Sequence, residues 1–252
     1  MIPPALDRTF ALFLDLDGTL LEIAATPAQV VVSPTLPPLL AELHRLLGGA
    51  LAIVSGRPLR DIDRLLDPFR GSAAGEHGAA VRYGDGTLEE MPAGLAVPQA
   101  WRASLDAAAE FLPGIQVEAK PHGVTVHYRL APHRADDVWR LARALVARDD
   151  QRFHLLPARE AVEIGLRSVS KGDAVKRLMR QASFSGRRPI FVGDDCTDEA
   201  GMRAARDLGG MGLRVGETFG GDPALVRNWL LRGAERLSGR PPRAAAPTGA
   251  AL

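Results

Sequence analysis

Phe10–Leu21 reads FALFLDLDGTLL. An apolar run that delivers Asp15 and Asp17 into Gly18-Thr19 describes a buried strand whose carboxyl end opens into a tight turn. Side chains alternate along an extended chain, so acids two residues apart project to the same side. A pair so placed can divide nucleophilic work from proton transfer. The same residues could form only a turn closed by an Asx-type hydrogen bond, so their meaning depends on what the rest of the chain brings beside them.

Working outward, Leu36, Leu39, Leu40, Leu43, Leu46 and Leu47 form one helical stripe, stopped by Gly48-Gly49. A short apolar strand over 50–54 ends at Ser55-Gly56-Arg57 and leads into a helix over 59–66. This strand-helix-strand-helix order predicts parallel pairing with helices on both faces. A hairpin over 81–90, turned by Gly84-Asp85-Gly86, and a Pro/Gly-rich linker over 91–98 interrupt it. Residues 99–164 then read as helix 101–112, strands 115–119 and 123–129, helix 134–147, and strands 152–156 and 161–164. Helix-strand-strand given twice predicts a small α+β unit with an antiparallel sheet, inserted into the first domain. The α/β order resumes with helix 170–181, strand 189–192 ending in Gly193-Asp194-Asp195, helix 198–206, strand 210–215 and helix 223–237. The expected fold is therefore α/β: a Rossmann-like doubly wound parallel sheet over 1–97 and 166–237, an inserted α+β cap over 98–165, and a disordered tail over 238–252.

Composition narrows the partners. A formal charge of +1 over 252 residues gives no basis for a nucleic-acid or membrane surface, and a small neutral or anionic ligand suits it better. No run approaches the roughly eighteen apolar residues of a membrane span. The opening MIPPALDR lacks the regions of a signal peptide, and Cys196 is the single cysteine, so a cytoplasmic setting is expected. Basic residues are almost all arginine, with lysine only at positions 120, 171 and 176. A lysine kept in such a chain points to a site that needs a compact ammonium rather than a guanidinium fork.

In open α/β sheets, function gathers at the carboxyl ends of strands. Four segments fall there or open the next helix: Asp15/Asp17, Ser55-Gly56-Arg57, Lys171-Gly172, and Asp194-Asp195 with Asp198-Glu199. Their carboxylates would repel one another and an anionic substrate unless a divalent cation lay between them, and an all-oxygen donor set suits Mg²⁺. In order and context these segments resemble the four motifs of the haloacid dehalogenase-like phosphohydrolases. The resemblance implies Asp15 as nucleophile, forming an aspartyl-phosphate, and Asp17 as general acid and then base. Ser55 would bind a phosphoryl oxygen, with Gly56 and Arg57 beside it, and Lys171 would hold nucleophile and phosphate together. Asp15, the backbone carbonyl of Asp17, and Asp194 would bind Mg²⁺, with Thr19, Asp195 and Asp198 behind them or acting through water.

The insertion after Arg57 and before Lys171 places the cap over this site, where a cap selects substrate. Val117-Glu118-Ala119-Lys120, His127-Tyr128-Arg129 and Val162-Glu163-Ile164 resemble the trehalose-6-phosphate phosphatases, as do Gly75-Glu76-His77-Gly78 and the run from Gly193 to Glu199. By that resemblance Glu118, Lys120 and Glu163 meet sugar hydroxyls, with Arg129 and His77 as further candidates, and a trehalose-phosphate synthase is the pathway partner. Plainer readings stand beside these: Glu118 and Lys120 as a solvated ion pair, His127 as a packed strand residue, Arg57 as a loop brace, His77 as turn chemistry. Gly165-Leu166 and Ala200-Gly201 depart from the pattern without removing a catalytic group. The expected activity is Mg²⁺-dependent hydrolysis of trehalose 6-phosphate. Another sugar phosphate such as sucrose 6-phosphate, or a phosphomannomutase-like reaction, is the alternative. A non-catalytic sensor is disfavoured because Asp15, Asp17, Lys171 and Asp194 are all present.

Overall fold

The computed structural model describes residues 2–239 apart from 25, 27 and 28. Its elements run β1 (Phe10–Leu14), α1 (Leu36–Leu46), β2 (Leu51–Val54), α2 (Leu59–Leu65), β3 (Ser72–Gly75), β4 (Ala80–Arg82) and β5 (Leu88–Glu90). Next come α3 (Gln99–Glu110), β6 (Gln116–Ala119), β7 (Val124–His127), α4 (Ala135–Val146), β8 (Phe153–Ala158) and β9 (Ala161–Leu166). The chain closes with α5 (Lys171–Leu178), β10 (Arg188–Gly193), α6 (Glu199–Asp207), β11 (Met211–Arg214), α7 (Val215–Thr218) and α8 (Pro223–Ser238).

The first sheet has the order β11-β10-β1-β2-β3-β4-β5. Pairing is parallel from β11 to β3, and the 80–90 hairpin adds two antiparallel strands at one edge. β1 and β2 are wholly buried, as expected of parallel strands covered on both faces. From β1 the sheet grows one way through α1 to β2, and from β10 the other way through α6 to β11. Right-handed crossovers in opposite directions put α1 and α6 on opposite faces and open a crevice between β1 and β10. Asp15 lies at its mouth, its backbone N–H held by the Val192 carbonyl of β10 at 2.9 Å.

The second sheet, β6-β7-β9-β8, is antiparallel throughout. Its core of Trp101, Leu105, Val124, Val126, Val138, Leu145, Phe153, Val162 and Ile164 is separate from that of the first sheet. Register aligns Glu118 with Thr125 and Thr125 with Glu163, so three polar side chains stand on one rung of the face turned away from that core.

Two elements escape sequence patterning. The β3 segment SAAG carries none of the β-branched or aromatic residues that announce a strand, and α7 is a single turn. Ser238 and Gly239 also correct the expected tail: Ser238 ends α8 and Gly239 caps it in the left-handed conformation, φ 71°. The remainder of the expected tail lies outside the described residues. Among the described residues no helix is long and apolar enough to cross a membrane.

Gly201, within one of the noted departures, lets α6 approach β10: a Cβ there would come within 2.3 Å of the Phe191 ring. Gly201→Ala is expected to destabilise the protein by about 1–3 kcal/mol through overpacking, despite the ~1 kcal/mol helix-propensity gain. A lower denaturant midpoint at unchanged m would show it. An unchanged or raised midpoint would mean that the contact relaxes freely.

Candidate active site

Asp15 follows β1 directly, and Lys171 is the first residue of α5, whose start is fixed by Ser170 Oγ accepting from the Asp173 N–H at 3.2 Å. The Lys171 ammonium donates to Asp15 Oδ1 at 2.7 Å and to Asp198 Oδ1 at 2.6 Å, and all three side chains are buried. Burial alone would lower the lysine's pKa. Asp15 and Asp198 overcome that and hold it above its usual value, so the ammonium stays charged.

The acids are under the opposite pressure. Burial first, then repulsion from Asp198, raises Asp15 well above the carboxylate range despite Lys171. Burial and the carboxylates of Asp195 and Asp198 push Asp194 up to about 7. Carboxylate oxygens of Asp15, Asp194 and Asp198 lie within 4.8 Å of one another. Asp198, expected behind the metal ligands or acting through water, contributes one oxygen to this group. Its other oxygen accepts from the Asp194 and Asp195 amides at 3.0 and 3.2 Å, which fixes the loop after β10. Asp195 accepts from both the N–H and the hydroxyl of Thr197. Thr19 is fully buried, and its hydroxyl has no partner among the described residues.

Asp17 is held differently. Arg57 Nε donates to its Oδ2 at 2.6 Å and Arg57 Nη2 to its Oδ1 at 2.7 Å, a two-point fork. The loop-brace reading of Arg57 thus has a definite partner. Ser55, buried after β2, accepts the Arg57 N–H on its hydroxyl at 3.2 Å, which leaves its O–H free to donate.

Across the cavity stand the residues of the second sheet. Lys120, just beyond β6, donates to Glu163 Oε2 at 2.5 Å and to the Gly56 carbonyl at 2.8 Å. It is 5% exposed, so the solvated Glu118–Lys120 pair is not what forms. Glu163 also accepts from the Thr125 hydroxyl at 2.9 Å, and His77 Nε2 lies 3.5 Å away. Burial would raise the Glu163 pKa, but Lys120 and His77 hold it far below the usual range. Glu118 pairs instead with His127 Nε2 at 2.8 Å. That bond, against the opposing effect of burial, keeps Glu118 below its ordinary value. Arg129 spends its donors on Glu160, the Arg159 carbonyl and the Ala24 carbonyl, so it ties the β8–β9 turn to the loop after β1.

One cavity is lined by Asp15, Asp17, Lys171 and Asp194 from one sheet and by Glu118, Lys120, Arg129 and Glu163 from the other. Ser55, Gly56, Arg57, His77 and Asp195 also line it, whereas Thr19 and Asp198 lie behind its wall. Sequence reasoning passed over Thr125 and Thr197, both on the lining. The alternation VTVH in β7 carried the signal for Thr125, since it faces the same way as His127.

A family model described as trehalose-phosphatase matches residues 13–225 of this chain. The probable trehalose-phosphate phosphatase of Sinorhizobium fredii is 41% identical over 216 residues, 86% of this chain and 81% of that protein. The trehalose-6-phosphate phosphatase of Escherichia coli is 38% identical over 230 residues, 91% of this chain and 84% of that protein. Among solved structures, the C-terminal domain of the C. albicans trehalose-6-phosphate phosphatase superposes with a TM-score of 0.72 at 19% identity, covering 94% of this chain and 98% of that one. It shares the fold.

The buried ammonium generates a pH prediction. Asp15 and Asp198 have folded pKa values above their unfolded ones. The folded state therefore holds their protons more tightly, and stability is lost as pH rises through those values. Removing Lys171 raises them further. In metal-free buffer Lys171→Met is expected to cost about 3–5 kcal/mol near pH 8 and clearly less near pH 5, read by denaturant unfolding. An equal loss at both pH values would contradict this electrostatic account.

Proposed function

The chain belongs to the trehalose-phosphatase family, and on that premise we propose that it hydrolyses trehalose 6-phosphate to trehalose and phosphate, using Mg²⁺ and passing through a phosphorylated Asp15. The observation that carries this reading is the single cavity in which Asp15, Lys171 and Asp194 face Glu118 and Lys120. A phosphoryl group needs the first set, and a disaccharide bearing many hydroxyls occupies the second.

The residues fit a divalent cation. Two buried carboxylates and the half-buried Asp194 converge with one ammonium among them, and desolvation with the charges of Asp195 and Asp198 raises Asp194 to about 7. Gly18, at φ 79°, brings the turn so near that a Cβ would lie 2.2 Å from Asp194 Oδ2. Asp15, Asp194 and the backbone carbonyl of Asp17 would hold Mg²⁺, supported by Asp198, Asp195 and Thr19. When bound, the ion supplies neutralisation of nucleophile and phosphoryl charge.

Lys171 keeps Asp15 aimed and opposes the burial and repulsion that favour its protonated form, and Asp15 attacks phosphorus as its carboxylate, in line with the sugar oxygen. Ser55 donates its hydroxyl to a phosphoryl oxygen. The sugar alkoxide is a poor leaving group and takes a proton from Asp17. Because both Asp17 oxygens accept from Arg57, that fork must part before Asp17 can carry the proton. Asp17 then receives the proton of the water that cleaves the acyl-phosphate. Glu118 and Lys120 orient the disaccharide, while Glu163, engaged by Lys120 and Thr125, sets where Lys120 stands. The residues of the second sheet thus act as a cap. A trehalose-phosphate synthase would supply the substrate, and a single cysteine suits a cytoplasmic setting.

Asp15→Asn is expected to leave a folded protein turning over below about a thousandth of the wild-type rate. Glu118→Ala should lower kcat/KM for trehalose 6-phosphate by about tenfold or more, and far less for a small aryl phosphate that does not reach the cap. Substantial turnover by Asp15→Asn would remove the nucleophile assignment. Equal losses on both substrates for Glu118→Ala would remove the recognition role.

A further inference from the structure

Glu76 is a buried acid that the mechanism leaves unused. It follows β3, and it and the next residue, His77, both take positive φ, 47° and 58°, which is strained for residues with side chains. The strain serves two grips. On the core side, the Glu76 N–H reaches the Arg57 carbonyl at 3.0 Å and the His77 N–H the Ser55 carbonyl at 2.9 Å, so the turn clasps the segment that carries the phosphate-facing hydroxyl. On the cap side, Glu76 Oε2 accepts from the backbone N–H groups of His122 and Gly123 at 2.8 and 3.3 Å, and Glu76 Oε1 meets His122 Nδ1 at 3.1 Å.

His122 is equally committed. Its Nε2 meets the Met91 carbonyl at 2.8 Å, and its own carbonyl accepts from Val97 N–H at 3.0 Å. One side chain thereby joins the segment leading into the cap, the turn 120–123, and the core. A carbonyl can only accept, so Nε2 carries a proton, and a further proton lies between Nδ1 and the Glu76 carboxyl. Both residues are buried, Glu76 5% and His122 6% exposed. The turn they hold is closed by the Lys120 N–H on the Gly123 carbonyl at 3.1 Å, and its first residue is Lys120, whose ammonium reaches Gly56.

We propose that Glu76 and His122 are positioning residues for substrate choice: the pair pins the 120–123 turn to the phosphate loop and so holds the Lys120 ammonium where a sugar hydroxyl must meet it. The proposal rests on the reading that the cap selects a disaccharide phosphate. Neither residue lies among the reacting groups, so the effect is selective. Glutamine at position 76 preserves the function, because its carbonyl oxygen accepts the two backbone N–H groups while its amide donates to Nδ1 of a neutral His122.

The test measures kcat/KM for trehalose 6-phosphate and for a small aryl phosphate on wild type, Glu76→Ala, Glu76→Gln, His122→Leu, Lys120→Ala and the Glu76→Ala/Lys120→Ala double variant. Glu76→Ala is expected to lose about tenfold or more on trehalose 6-phosphate, mostly in KM, and less than about twofold on the aryl phosphate. Glu76→Gln should recover to within about threefold of wild type, and the double variant should lose no more than Lys120→Ala alone. If Glu76→Ala does not fold, His122→Leu carries the same selective loss. Equal losses on both substrates, multiplying losses in the double variant, or full trehalose 6-phosphate activity in both Glu76→Ala and His122→Leu would overturn the proposal. A wild type that does not prefer trehalose 6-phosphate would instead overturn the reading beneath it.

Discussion

The site is organised by a lysine ammonium buried between two aspartates. Lys171 neutralises one charge among Asp15, Asp194, Asp195 and Asp198, and burial together with the remaining negative charge raises the pKa of Asp15, Asp194 and Asp198. A buried lysine is stable only where such carboxylates surround it, and carboxylates this close need it in return. Neither side of the arrangement persists without the other. The same excess of negative charge makes a divalent cation welcome, and a phosphoryl group can enter only when that charge is balanced.

The fold brings these groups together through the reversal of strand order between β1 and β10. Asp15 follows one strand, Asp194 follows the other, and Lys171 opens the helix that leads into β10. The second sheet then lays the rung of Glu118, Thr125 and Glu163 against the opening. The two sets of lining residues thus come from sheets with separate cores and meet at few points. Lys120 on the Gly56 carbonyl, Glu76 on the 120–123 turn and Arg129 on the Ala24 carbonyl are three of them.

Much of this was legible in the sequence. FALFL before two acids marks a buried strand because parallel strands lack a polar face, and the β1 bounds follow the apolar run. The doubled helix-strand-strand order gave the inserted sheet, and short motifs at strand ends or helix starts marked the acids and Lys171 that the cavity brings together. What stayed hidden depends on contacts distant in sequence. Lys120 and Glu118 sit two residues apart and invite pairing, yet each finds a partner elsewhere, Glu163 and His127. Arg57 binds Asp17 across 40 residues, and Asp198 enters the carboxylate group because α6 begins beneath it. Glu76 reads as part of a turn motif, and its task comes from the His122 ring and the His122 and Gly123 N–H groups, some 46 residues away.

Phosphate release from a panel of sugar phosphates, with Mg²⁺ and with EDTA, tests the account most directly. It predicts a kcat/KM for trehalose 6-phosphate about tenfold or more above those for sucrose 6-phosphate, glucose 6-phosphate and mannose 6-phosphate, with stoichiometric phosphate and no turnover in EDTA. Comparable rates across the panel, or undiminished turnover after metal removal, would contradict it.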